Sequence, residues 1–207
     1  MVHNSQAKVL CRLIVICAVF PSLLAGCVSS ESVKNVDKVY FDLEGFLDRQ
    51  LDTLSTKERT MTKTIHFNGK EEQQKYTVGH EPEGAFPLET LYGYVRWRKE
   101  LKPFLDAGIN KPALLDSYFG DTSQRKSGTI DSIVYKAKQS DLNTRELKVH
   151  FTQDGNLEKI YLHKMTVNPL YHSEQFLTYR PGAGYKIEGV QDVRFFDNDS
   201  FDIQVRW

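Results

Sequence analysis

The chain has 207 residues, with 27 Lys+Arg against 27 Asp+Glu, a formal net charge of zero and a hydrophobic fraction of 40%. That balance excludes the basic footprint by which proteins hold nucleic acid or anionic membrane surfaces. The length allows one sizeable core in a single domain without disulfide staples.

The first stretch is an address. Lys8 and Arg12 stand ahead of an almost unbroken apolar run, Leu13 to Leu24, and small residues follow it, which is the pattern of a secretory signal. The run is too short for a spanning helix, which needs about 20 apolar residues. Its end, Leu24-Ala25-Gly26-Cys27, resembles the lipobox of bacterial lipoproteins. The resemblance implies that residues 1–26 are removed, that Cys27 becomes the acylated first residue, and that the protein meets the membrane through this N-terminal lipid. Val28 stands where an aspartate is associated with inner-membrane retention, so the resemblance points to the outer membrane, with the periplasmic or surface face left open. Loss of Lys8 and Arg12 leaves 25 basic against 27 acidic side chains, about −2. Cys11 and Cys17 leave with the signal, so the mature chain keeps only Cys27 and has no disulfide, although its compartment would permit one.

Residues 27–38 are polar and aperiodic, and read as the acylated cysteine followed by a flexible tether. Residues 39–207 then read as one domain. Tyr40, Leu43, Leu47, Leu51 and Leu54 recur at helical steps, with Phe41 and Phe46 beside them and acidic residues opposite, predicting an amphipathic helix docked on the core. Thr60–Phe67, the Asn68-Gly69 dipeptide and a polar return strand predict a hairpin at an edge. A second helical pattern starts near Pro87 and carries Leu91, Tyr94, Val95, Arg98, Leu101 and Leu105. Pro103 predicts a kink or break in it. Pro112–Phe119 reads as one more short helix.

From residue 129 the period changes to two, in segments 129–138, 145–152, 157–166, 174–180, 184–196 and 201–206. A turn at Asp154-Gly155 sets Val149 opposite Ile160 and Leu147 opposite Leu162. Across Arg180–Gly184, Tyr179 meets Tyr185 and Leu177 meets Ile187. A loop at Asp197–Asp199 sets Phe195 opposite Phe201 and Val193 opposite Ile203. Matched apolar pairs on one face predict an antiparallel meander with one wet side, and Gly189 suggests a bulge or bend.

Three phrases, Tyr40-Phe-Asp-Leu-Glu-Gly-Phe46, Ile109-Asn-Lys-Pro-Ala-Leu114 and Gly184-Tyr-Lys-Ile-Glu-Gly-Val-Gln191, also resemble small uncharacterised lipoproteins of Bacteroidota envelopes. That resemblance implies an envelope setting and no activity or site residues.

The residues offer little catalytic chemistry. There is no G-x-S-x-G elbow, no H-E-x-x-H and no close Cys/His pairing. The glycines of Pro181–Gly184 join two strands instead of opening a helix that could hold a phosphate. His163 lies opposite Glu146 and His150 opposite Lys159, which reads as surface pairing. His80 beside Glu81 and Glu83 is the one place a divalent ion could be held weakly. No metal, cofactor or catalytic set is assigned. What remains is aromatic surplus: Tyr92, Tyr94 and Trp97 fall within six residues, more than one helical face can bury, and could line a groove for an apolar ligand or a partner. The expected fold is α+β, with N-terminal helices packed on one face of a mainly C-terminal antiparallel meander. The expected function is that of a lipid-anchored, non-enzymatic envelope protein binding a partner protein or small apolar ligand through Tyr92, Tyr94 and Trp97. The alternatives are an extracytoplasmic hydrolase of glycans or peptides, or a structural spacer in an envelope complex.

Overall fold

Asp42 starts the first helix by capping it: its Oδ1 accepts a hydrogen bond from the Gly45 N–H at 3.0 Å, satisfying one of the amides a helix start leaves open. Helix α1 (Leu43–Ser55) buries Leu43, Leu47, Leu51 and Leu54, the stripe its spacing predicts. Tyr40 belongs to the approach and not to the helix. This computed structural model describes residues 39–78 and 88–207, with the backbone alone over 88–92. The described residues lie in one unit, Lys38–Trp207. The signal segment, Cys27, the tether and the His80–Glu81–Glu83 cluster lie outside them.

Among the described residues the architecture is α+β and strand-rich, with its two α-helices in the N-terminal half. Strands β1 (Arg59–Phe67) and β2 (Lys70–Val78) form the expected hairpin. Its turn holds Asn68 at φ 48° and Gly69 at φ 77°, the left-handed pair that a two-residue hairpin turn requires. Helix α2 (Leu88–Leu105) follows. Pro103 lies in its last turn without ending it, because a proline there forfeits only one late backbone hydrogen bond. Then come β3 (Tyr118–Gln124), β4 (Ile130–Ala137), β5 (Thr144–Phe151), β6 (Leu157–Asn168), β7 (Tyr171–Arg180), β8 (Gly184–Val193) and β9 (Asp199–Arg206). All nine form one antiparallel sheet in the order β2-β1-β9-β8-β7-β6-β5-β4-β3. The early hairpin therefore extends the meander by pairing β1 with β9.

Two of the three expected registers are present: Val149 faces Ile160, Leu147 faces Leu162, Tyr179 faces Tyr185 and Leu177 faces Ile187. One inward row runs Val149–Ile160–Tyr179–Tyr185–Val205–Lys63 across six strands. The helices meet this face through ring contacts: Phe46 with Tyr179, Phe104 with Tyr179 and Tyr185, and Trp97 with Trp207.

The third register differs. Phe201 faces Gly189 and Ile203 faces Ile187, while Phe195 and Phe196 leave the ladder in a loop. Gly189 is the reason. A Cβ on it would sit 2.7 Å from Phe201 Cζ and 2.7 Å from the Glu174 carbonyl oxygen, so the missing side chain is the space the Phe201 ring uses. Gly189 is thus a paired ladder residue and not a bulge. Gly189→Ala is expected to cost roughly 1–3 kcal/mol through overpacking, read by chemical denaturation, and less in a Phe201→Leu background. An equal cost in both backgrounds would sink the account.

Residues 112–119 also differ from expectation. Only Pro112–Leu114 is helical, as a 3₁₀ turn, and Tyr118 already begins β3. That strand is an edge exposed beyond Tyr118, so it needs no apolar alternation and shows none.

Candidate functional site

On α2, Trp97, Leu101 and Phe104 occupy one face at helical steps, and all three are fully buried. The Trp97 ring meets the C-terminal Trp207 edge to face, 5.0 Å between centroids and 79° between planes. Trp97 therefore lies in the core, packed on Trp207, and does not line an open groove. Tyr94 is half-buried at the flank. Its hydroxyl accepts from Arg98 at 3.4 Å, and Arg98 also pairs with Asp48 of α1 at 3.1 Å. Tyr92 lies among the residues described by backbone alone. Trp97 and Tyr94 are thus not brought together as one open wall.

The polar cluster on the same helix went unread in the sequence. Glu100 projects toward the sheet and accepts hydrogen bonds from Lys63 Nζ at 3.0 Å, from the Tyr76 hydroxyl at 3.0 Å, and from the Tyr185 hydroxyl in a short contact. Lys63 sits at inward parity between Met61 and Ile65, in the row of Tyr185 and Val205, and Tyr76 faces Met61 from β2. One carboxylate thus ties α2 to the hairpin and to β8. Burial pushes the Glu100 pKa up, but the hydrogen bonds from Tyr185, Lys63 and Tyr76 and the Lys63 charge outweigh it, so the net shift is downward. Burial first, then the Glu100 charge, pushes Tyr185 and Tyr76 well above the usual phenol value. A carboxylate with three donors and a lowered pKa is a fixed anion, unsuited to donating a proton. Beside it opens a polar cleft of about 600 Å³, lined by Lys63, Gln74, Tyr76, Arg96 and Glu100. The Arg96 guanidinium lies 5.2 Å from the Tyr76 ring centre.

The opposite, solvent side of the sheet carries a second constellation. Glu146 faces His163 in register, as expected, but the imidazole pairs with Glu174 across the other strand, Nε2 to Oε1 at 2.7 Å. Glu146 instead lies 3.4 Å from Lys148. Phe176 stacks on the His163 ring at 4.8 Å and on Tyr161 at 6.5 Å, making a flat aromatic strip. His150 faces Lys159, as expected; burial and the Lys159 and Lys148 charges lower its pKa. Among the described residues, no group of three or more His, Cys, Asp or Glu is placed to hold a metal ion, and no helix is long and apolar enough to cross a membrane.

A scan against family models, a search of curated proteins and a search of solved structures each find no match to the chain.

Proposed function

We propose that the protein is a lipid-anchored, non-enzymatic component of the bacterial cell envelope, held at the outer membrane through Cys27, which works by binding a partner protein or a small apolar ligand. The observation that carries this is the tetrad Leu24-Ala25-Gly26-Cys27, placed behind a short apolar run and ahead of a polar stretch that ends where the unit Lys38–Trp207 begins. With Trp97 and its helix face committed to the core, binding moves to the open surfaces: the aromatic strip of Tyr161, His163 and Phe176, and the apolar loops at one end of the sheet. Among the described residues, the hydrolase alternative rests on the His163–Glu174 pair. There the imidazole has an acid on Nε2 and a phenyl ring over its face, on a flat sheet surface with no enclosing walls. The spacer alternative uses the same exposed apolar surface as the partner-binding one.

Burying acyl chains contributes about 0.8 kcal/mol per CH₂, and stable anchoring takes more than one chain. Cys27→Ser is therefore expected to move the protein from the membrane to the soluble envelope fraction, and the wild-type N-terminal peptide is expected to carry diacylglycerol and fatty-acid mass on Cys27. A wild-type protein that is soluble, with an unmodified N-terminal peptide, would refute the anchor.

A further inference from the structure

The side of the sheet turned away from the helices separates its charges by row. One row crosses five strands as Arg180, Gly184, Arg206, Thr62 and Lys75. The next row along the strands runs Tyr161, Thr178, Lys186, Gln204, Thr64 and Gln73. Neither contains an acid. The third row, Phe176, Glu188, Asp202, His66 and Glu71, contains three. The chain as a whole carries equal numbers of acids and bases, so the cations of the first row stand apart from carboxylates that could have been interleaved with them.

Between the two arginines the first row has a gap. Gly184 has φ 138°, and a Cβ on it would collide with the Val205 carbonyl oxygen, so no side chain can stand there. The gap opens as a cleft of about 430 Å³, with Arg180 and Arg206 on two sides and Thr178, Lys186 and Gln204 on a third. Its floor is backbone, because the side chains of Tyr185 and Val205 are buried on the helix side of the sheet. Arg180 and Arg206 stand two strands apart, on the order of 10 Å between Cα atoms, a spacing from which two long side chains can reach one group held over Gly184.

The cleft presents donors. Gln204 Oε1 already accepts from Arg206 Nη2 at 3.2 Å, which leaves the Gln204 amide N–H groups for a ligand. Arg206 has no acidic partner among the described residues. Arg180 meets Glu158 only at 4.0 Å, with the two side chains 53% and 52% exposed, a pairing worth little. Lys186 is held by Glu188 at 2.8 Å and Asp202 at 3.0 Å, so its charge is answered within the acid row. Two guanidinium forks are therefore left facing one gap. A tetrahedral oxyanion can offer oxygens to both at once, whereas a planar carboxylate is filled by one fork. The cleft is larger than a bare phosphate ion, and its remaining wall, Ala183, is apolar.

We infer that the notch between Arg180 and Arg206 binds the phosphate group of a small phosphomonoester, with Gly184 providing the space and Thr178 and Gln204 further donors. The site lies within the described domain and does not rest on the anchor.

The test titrates the full chain with glycerol 1-phosphate, inorganic phosphate and acetate at constant ionic strength. The readout is the backbone amide resonances of Gly184 and Arg206 and the arginine Nε–H resonances. Glycerol 1-phosphate is expected to give saturable shifts confined to this end of β7, β8 and β9, with a lower Kd than inorganic phosphate, and acetate to bind most weakly. Arg206→Gln and Arg180→Gln are each expected to weaken binding by about tenfold, the factor carried by one charge-assisted hydrogen bond. Both side chains are exposed, so the urea midpoints should stay near wild type. Arg206→Lys keeps the charge and loses the fork, and is expected to recover only part of the affinity. Lys99→Gln removes an equal charge from exposed α2 surface and is expected to leave binding unchanged. Shifts that rise without saturating overturn the inference, as does a loss with Lys99→Gln equal to that with Arg206→Gln, because the anion would then only screen surface charge. Acetate binding as tightly as the phosphates overturns the assignment of a phosphate group. Inorganic phosphate binding as tightly as glycerol 1-phosphate overturns the assignment of an ester.

Discussion

Trp97→Ala is expected to destabilise the domain by about 3–5 kcal/mol, a large share of the roughly 5–15 kcal/mol that holds a typical domain together. The ring is fully buried and joins two parts of the core. It packs edge to face on Trp207, whose own ring leans on Tyr179 and Tyr185, each 6.2 Å between centroids. Phe104 closes the other side of those two tyrosines, at 5.9 and 5.7 Å. Removing Trp97 opens a cavity at the junction of α2 with the sheet, and Trp207, held by a long backbone hydrogen bond to Ala183 at 3.4 Å, loses its cover. Trp97→Phe is expected to cost clearly less. The indole N–H has no hydrogen-bond partner, so its removal forfeits volume but relieves an unpaired buried donor. Urea midpoints of the two variants check the ordering. In a Trp207→Phe background the remaining Trp97 emission should be blue-shifted and unmoved by quenchers or vesicles. Red-shifted, quenchable emission from a folded protein would contradict the burial.

Much of the fold was legible because one face of each element is buried. The leucine stripe from Leu43 to Leu54 and the pairs Val149–Ile160 and Leu177–Ile187 follow from periodicity alone, since a slip of one residue would turn them all to water. Three features escaped for separate physical reasons. Strand β3 is an exposed edge, so its polar sequence carries no alternation. The β8–β9 register is decided by the space Gly189 leaves for Phe201, a contact between residues twelve apart that pairing Phe195 with Phe201 by parity cannot reveal. The joining of β1 to β9 is a long-range pairing with no local signature. As for the site, the aromatic surplus on α2 was real, but counting rings on a helix does not show that Trp207 would cover one of them. Glu100 was hidden in Arg96-Trp97-Arg98-Lys99-Glu100, a run that reads as a solvated face. The clue was Lys63 at inward parity between Met61 and Ile65, a partly buried cation that called for an acid opposite.

That acid makes the second large prediction. Glu100→Ala is expected to cost roughly 2–4 kcal/mol: a charged hydrogen-bonded group contributes about 1.5–3 kcal/mol, and Lys63 is left partly buried without its counter-ion, a penalty reduced because both side chains keep about a fifth of their exposure, 22% and 21%. Glu100→Gln keeps an acceptor but not the charge, and should fall between wild type and Ala. The pH dependence separates a fixed anion from a packing effect. The folded-state pKa of Glu100 lies below its unfolded value, so the unfolded chain binds more protons in the acid range. The stability it contributes is fully present above the unfolded carboxylate pKa and is lost as pH falls through the folded one. Tyr185 and Tyr76 are shifted the other way, upward. Their contribution is intact below the unfolded phenol pKa, about 10, and declines as pH rises beyond it. Wild-type protein should therefore lose the Glu100 contribution below about pH 4.5 and the tyrosine contributions above about pH 10. In Glu100→Gln the acid limb should flatten by the share Glu100 carries, while the difference from wild type stays constant from pH 6 to 8. A wild type and a Gln variant with parallel curves through the acid range would mean that Glu100 does not hold its charge in the folded protein, and that α2 is fixed to the hairpin by packing alone.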